Sequence, residues 1–230
     1  SRARLSRVRR IGRMACWACA LAFAVPARGD LVVPANATTD LAGGSMDLAC
    51  TDVVVAGTLV VGSGALSNVR HVTIMSGGAI DAGSGTITLG GNWANAGTFT
   101  AGTSTVRFRD LCAIASASVS GGTSFASASF VTSTGKNYVF EVGTTQRIAS
   151  ILEIAGTAPL PIQFRSSSPG NVARIDLAGP GTQQIQHVGV SDVWATGQWL
   201  APSLTNEGGW LTYKVTRSLG LLLVDNQARI

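Results

Sequence analysis

The chain has little of what most catalytic sites are built from. Histidine occurs twice in 230 residues, at His71 and His187. Charged residues make up only 13%, about half the usual quarter. No Gly-x-x-x-x-Gly-Lys phosphate loop and no Gly-x-Ser-x-Gly elbow occurs. The one Ser-x-x-Lys match, Ser133-Thr-Gly-Lys136, precedes a strand-like run. That motif needs a helix and companion motifs, so it reads as coincidence. Strong helix formers such as Glu and Lys are scarce. Glycine, at 28 residues, breaks nearly every stretch before a helix could complete three turns. These shortages exclude an α-helical class and leave no strong signature of an enzyme.

Basic charge is also missing from most of the chain. The net charge is +5, yet seven of the 17 basic residues are arginines between Arg2 and Arg28, where no acidic residue occurs. Beyond residue 29 the balance is 10 basic against 12 acidic residues, a net of −2. No Lys/Arg stripe remains to neutralise phosphates, so nucleic acid is not an expected partner. The arginines are followed by an apolar run from Met14 to Val25 and a small-residue site, Ala27-Arg28-Gly29. This order predicts a signal peptide over 1–29, cleaved between Gly29 and Asp30, and hence export. The run is too short to span a bilayer, which takes about 20 residues. No membrane span is expected in the mature chain.

What is abundant is repeated. Gly57-Thr-Leu-Val-Val-Gly-Ser-Gly64, Gly78-Ala-Ile-Asp-Ala-Gly-Ser-Gly85 and Gly97-Thr-Phe-Thr-Ala-Gly-Thr-Ser104 align at offsets of 21 and 19 residues. Thr86-Ile-Thr-Leu89 matches Thr105-Val-Arg-Phe108, and Val53-Val-Val55 matches Val72-Thr-Ile74. Each unit reads as three short strands with Gly turns, placing Leu59, Ile80 and Phe99 one above another. The expected fold is all-β, a right-handed parallel β-helix over 30–209; the alternative is a β-sandwich. Further strand-like runs are Tyr138–Val142, Ile151–Ile154, Ile162–Phe164, Ala173–Leu177 and Ile185–Val190, with prolines between them. The weakest signal lies between Cys112 and Ser129. Trp194, Trp199 and Trp210 suit a cap over an open end.

Candidate site residues are few. His71 and His187 lie in strand-like runs, and a surface strand position is their expected role. The acids are spread singly, among them Asp40, Asp81, Asp110, Glu141, Glu153, Asp176, Asp192 and Glu207; Asp47 and Asp52, flanking Cys50, are the closest internal pair. Either that pair is chemical, or both are turn residues. No metal, cofactor or catalytic residue is implied. Cys16 and Cys19 belong to the signal segment, and an exported chain is expected to pair the other two, Cys50 and Cys112. They are 62 residues apart, about three coils or about 14 Å in a perfect stack, against the roughly 7 Å a disulfide allows. Either the Cys112 segment folds back, or the pair is unbonded. A real bond would imply that the first coils are not a simple stack.

Leu-Ala-Cys50-Thr-Asp52, Gly-Thr-Ile-Thr-Leu-Gly-Gly-Asn-Trp93, Ala-Gly-Thr-Phe-Thr-Ala-Gly-Thr103, Ser-Thr-Gly-Lys-Asn-Tyr138, Arg-Ser-Ser-Ser-Pro169 and Val-Ser-Asp-Val-Trp194 carry a resemblance. Over residues 46–209 the chain resembles exported Gram-negative repeat proteins of the IPTL-CTERM sorting type, adhesin-like with pectate-lyase-like solenoids. The resemblance implies placement at the cell surface or in the extracellular matrix and brings no activity. Residues 210–230 depart from it: Leu219–Val224 falls short of a span, so this is an atypical or truncated tail. Two functions follow as expectations. One is a non-catalytic structural or adhesin-like protein touching extracellular carbohydrate or cell-surface components. The other is a polysaccharide lyase or hydrolase on the same β-helix.

Overall fold

The structure is a computed structural model that describes residues 29–201 and the backbone of Leu211–Thr212. Residues 1–28 of the expected signal peptide, Glu207, Trp210 and the rest of the tail lie outside the described residues. Among those described there are only strands, no helix, and every strand pair is parallel. A β-sandwich of hairpins is thereby ruled out. The chain is a parallel β-solenoid of about eight coils.

Three faces build it. The first carries eight strands: Leu31–Val33, Val53–Val55, Val72–Ile74, Trp93–Asn95, Ser116–Ser120, Asn137–Phe140, Ile162–Ser166 and Val188–Ser191. The second has only four: Thr38–Asp40, Thr58–Val60, Ala79–Asp81 and Thr98–Thr100. The third begins Ser45–Asp47, Ala65–Val69, Thr86–Leu89 and Thr105–Phe108. It then widens into Ser124–Val131 and Thr145–Ala155 and forks. One branch is Ala173–Leu177, Val193–Gly197 and Leu211–Thr212; the other is Thr182–Gln186. In the fifth and sixth coils a single long strand takes the place of a separate second-face strand, and in the seventh it divides again into two.

The expected ladder holds. Leu59 pairs with Ile80 and Ile80 with Phe99, so like side chains stack at each coil. Alternate strand residues point inward, and these are the apolar ones: Val53 and Val55, Ile87 and Leu89, Val106 and Phe108 are buried. Each inward row is therefore a continuous apolar column, which is why short strands suffice.

Two expectations change. The weak stretch after Cys112 contains two strands, and Ser124–Val131 is buried along most of its length. Ala128 points inward as a small residue in a layer of large rings, whereas Ser127 and Ser129 face outward and are covered there. Trp93, Phe108, Phe125 and Phe130 fill that layer, with Phe108 and Phe130 stacked at 4.3 Å. Secondly, Ile185–Val190 is not one strand. His187, at a φ of 50°, turns the chain from the third face to the first. His71 occupies the equivalent corner, its Nδ1 accepting from the Asn92 amide at 2.8 Å. Both histidines are corner residues rather than strand residues.

Candidate functional site

The outer side of the third face carries an organised polar surface. Thr88, Arg107, Ser129, Glu153 and Gln184 are in register on five successive strands. A second row, Thr86, Thr105, Ser127, Ile151 and Thr182, runs beside it. Alternation forces this: Ile87, Val106, Ala128 and Leu152 point into the core, so their neighbours must point out.

Arg109, just past the strand end, closes over the first row. Its guanidinium donates to the Ser129 carbonyl at 3.0 Å and to Ser129 Oγ at 2.9 Å, and stands 3.8 Å from Glu153. Ser129 Oγ in turn donates to Glu153. Half-burial lowers the pKa of Arg109, while Glu153 opposes that shift. Arg107, second in the row, is exposed. A carboxylate and two guanidiniums thus meet on one flat surface, over a Ser129 hydroxyl that is buried and fully bonded between Arg109 and Glu153. That set can hold hydroxyl-rich or anionic groups through several hydrogen bonds at once.

The corner that carries Arg109 also resolves the cysteine geometry. Residues 109–115 join the fourth coil to the fifth and fold back along the corner column. The Leu111 carbonyl lies against Gly90, where a Cβ would stand 2.4 Å from its oxygen. Cys112 Sγ reaches within 3.9 Å of the Val69 carbonyl and bonds to Cys50 Sγ, with the Cα atoms 5.4 Å apart. The coils beneath nevertheless stay stacked, with Val53, Val72 and Trp93 in unbroken register on the first face and one register shift between Leu66 and Val69 on the third. The expectation that a bond would disrupt the stack is corrected: a long corner makes the bond, and the missing side chain of Gly90 makes the room.

Ser133-Thr-Gly-Lys136 is part of this corner. Lys136 is buried, and its Nζ donates to the carbonyls of Gly90 and Arg109. Burial lowers its pKa against the pull of Asp110. Asp110 accepts from Thr132 Oγ1 at 2.7 Å, the Ser133 amide at 2.7 Å and Thr134 Oγ1 at 3.1 Å. Burial pushes the Asp110 carboxyl up, but those hydrogen bonds outweigh it and the pKa falls below the ordinary 3.8. The motif fastens a corner.

The other acids are engaged one by one. Asp47 accepts from the Ala49 amide and Asn68 Nδ2, each at 2.8 Å. Asp52 forms a two-pronged pair with Arg70, both contacts 2.8 Å, and this holds its pKa down. Asp40 and Asp81 cap their own turns at Ala42 and Gly83. Glu141 accepts from the Gly121 amide, Asp176 faces Arg147 at 3.8 Å, and Asp192 accepts from the Gly170 amide. The Asp47–Asp52 pair is therefore made of turn residues with separate partners. Among the described residues, no three His, Cys, Asp or Glu side chains gather where a metal could be held. No described helix is long and apolar enough to cross a membrane.

The carboxylates yield a pH prediction. Asp52 and Asp110 both have folded pKa values below the unfolded 3.8. Their stabilisation is complete above that value and is lost as pH falls through the lower, folded values. The unfolding midpoint should drop as pH falls below about 4, and Asp110→Asn should flatten the slope. An equal slope in wild type and variant, by circular dichroism, would refute this role for Asp110.

Arg107, Arg109, Ser129 and Gln184 were not singled out by sequence, and Glu153 appeared only as one scattered acid. The one available signal was the match of Thr86-x-Thr88 to Thr105-x-Arg107. Trp194 lies in strand Val193–Gly197 and Trp199 is half-exposed. No known family, no curated protein and no solved structure matches the chain.

Proposed function

We propose that this chain is an exported, non-catalytic structural protein of adhesin-like type, held at the surface or in the matrix of a Gram-negative bacterium. Its third face is the contact surface for extracellular carbohydrate or other cell-surface components. The observation that carries this reading is the in-register row Thr88–Arg107–Ser129–Glu153–Gln184. It presents hydroxyl, amide and guanidinium groups on a flat sheet where many weak contacts add up. The pairing of nearly every described carboxylate with a turn amide or an arginine supports it further.

A second reading, a carbohydrate-active enzyme, is favoured by Glu153 alone, an outward carboxylate beside Arg109 and Ser129. Binding to a glycan array with no release of reducing ends or unsaturated products is the expected result. The double variant Arg107→Ala/Gln184→Ala should bind about tenfold more weakly, the loss of roughly 1.4 kcal/mol. Product release that stops in Glu153→Gln would instead establish the enzyme.

A further inference from the structure

The two ends of the Cys50–Cys112 bond are held very differently. On the Cys112 side the corner is fixed without the sulfur. Arg109 bonds to Phe108 and Ser129, Asp110 to the 132–134 segment, Lys136 to the Arg109 carbonyl, and Leu111 packs on Gly90. On the Cys50 side lies the first coil, whose buried residues are Val33, Leu48 and Thr51, with Leu31, Ala37 and Leu41 partly covered and the Cys50 amide donating to the Asn68 carbonyl. Its second and third strands are almost entirely exposed. It carries Asp30, Asp40 and Asp47, and it pairs on one side only, against the second coil. The second coil, by contrast, buries Val53, Val55, Leu59, Val61, Leu66 and Val69.

We propose that the first coil is an acidic, detachable cap and that the disulfide is its redox-controlled clasp. Cys50 and Cys112 are both partly exposed, so a dithiol can reach them. Its thiolate attacks one sulfur to form a mixed disulfide. Its second thiol then closes, leaving two cysteine thiols and an oxidised reductant. With the clasp open, the weakly packed coil peels from its Leu31 end and swings on Thr51 and Asp52, which join Cys50 to Val53 of the second coil. This uncovers the parallel edges of Val53–Val55, Thr58–Val60 and Ala65–Val69 together with their apolar columns.

One segment fits those edges in register: the first coil itself. A second copy with its own cap released can therefore pair reciprocally, a domain swap. Reoxidation then joins Cys50 of one copy to Cys112 of the other. The guard against end-to-end pairing, exposed acids and Pro34 on the outermost edge, is the part that moves.

The experiment is amide hydrogen exchange on the full chain, oxidised and after dithiothreitol, with Cys50→Ser/Cys112→Ser as a reductant-free control. Residues 31–48 should lose at least tenfold protection in both, and residues 116–177 should keep theirs. Reoxidation at high protein concentration should give a disulfide-linked dimer on a non-reducing gel, and Cys50→Ser/Cys112→Ser, which keeps Cys16 and Cys19, should not. Unchanged exchange in 31–48, equal loss in all coils, or a monomer only after reoxidation would each overturn the proposal.

Discussion

Gly90→Ala should destabilise the protein by about 4 kcal/mol and leave Cys50 and Cys112 as free thiols. The added methyl carbon would stand 2.4 Å from the Leu111 oxygen and 2.7 Å from its carbonyl carbon, both rigid backbone atoms. The corner must then lift. Overpacking of this kind costs about 1–3 kcal/mol, and a lost disulfide about 2–4 kcal/mol. For a loop of 62 residues, chain entropy places the disulfide near the top of that range. The variant should titrate two more thiols than the wild type with a thiol reagent, those of Cys50 and Cys112. A variant that keeps its disulfide and its midpoint would contradict the folded-back corner.

Phe108→Ala should be comparably damaging, by about 3–5 kcal/mol. Phe108 is fully buried, stacks on Phe130, and meets Trp93, Phe125 and Tyr138 edge-on. It pairs in register with Leu89 below and Phe130 above, so its loss opens a void inside a column that cannot close without shifting whole coils. Chemical denaturation would measure this directly. A loss below about 1 kcal/mol would mean that this layer is not packed as described.

The second to fourth coils were legible because their units have nearly constant length. Thr58, Ala79 and Thr98 follow at 21 and 19 residues, and the paired registers reproduce those offsets. Beyond Phe108 the coils lengthen unevenly. Arg107 to Ser129 is 22 residues, Ser129 to Glu153 is 24, and Glu153 to Gln184 is 31. The extra residues sit in corners, where length costs little, so the period disappears while the stack continues. The outward row was hidden for the same reason: its members share a column in space and no spacing in the chain.

Residues that respond to a corner were the hardest to read. His187 continues an apolar-polar alternation in the sequence, yet it turns the chain at positive φ. Lys136 looked like half of a coincidental motif and is buried against two carbonyls. Its function depends on a loop arriving from another coil, which no local pattern encodes. The cysteine pair shows the opposite case. Composition and export argued for pairing, while geometry argued against it until the length of the 109–115 corner was taken into account.

Spin labels at Thr88 and Gln184 provide the most direct test. These residues are 96 apart in sequence and end the same outward row, four strand spacings from one another. The account predicts a single narrow pulsed-EPR distance distribution, consistent with a backbone separation of about 19 Å. A broad distribution, or a separation beyond about 35 Å, the full height of eight coils at that spacing, would contradict both the solenoid register and the contact row built on it.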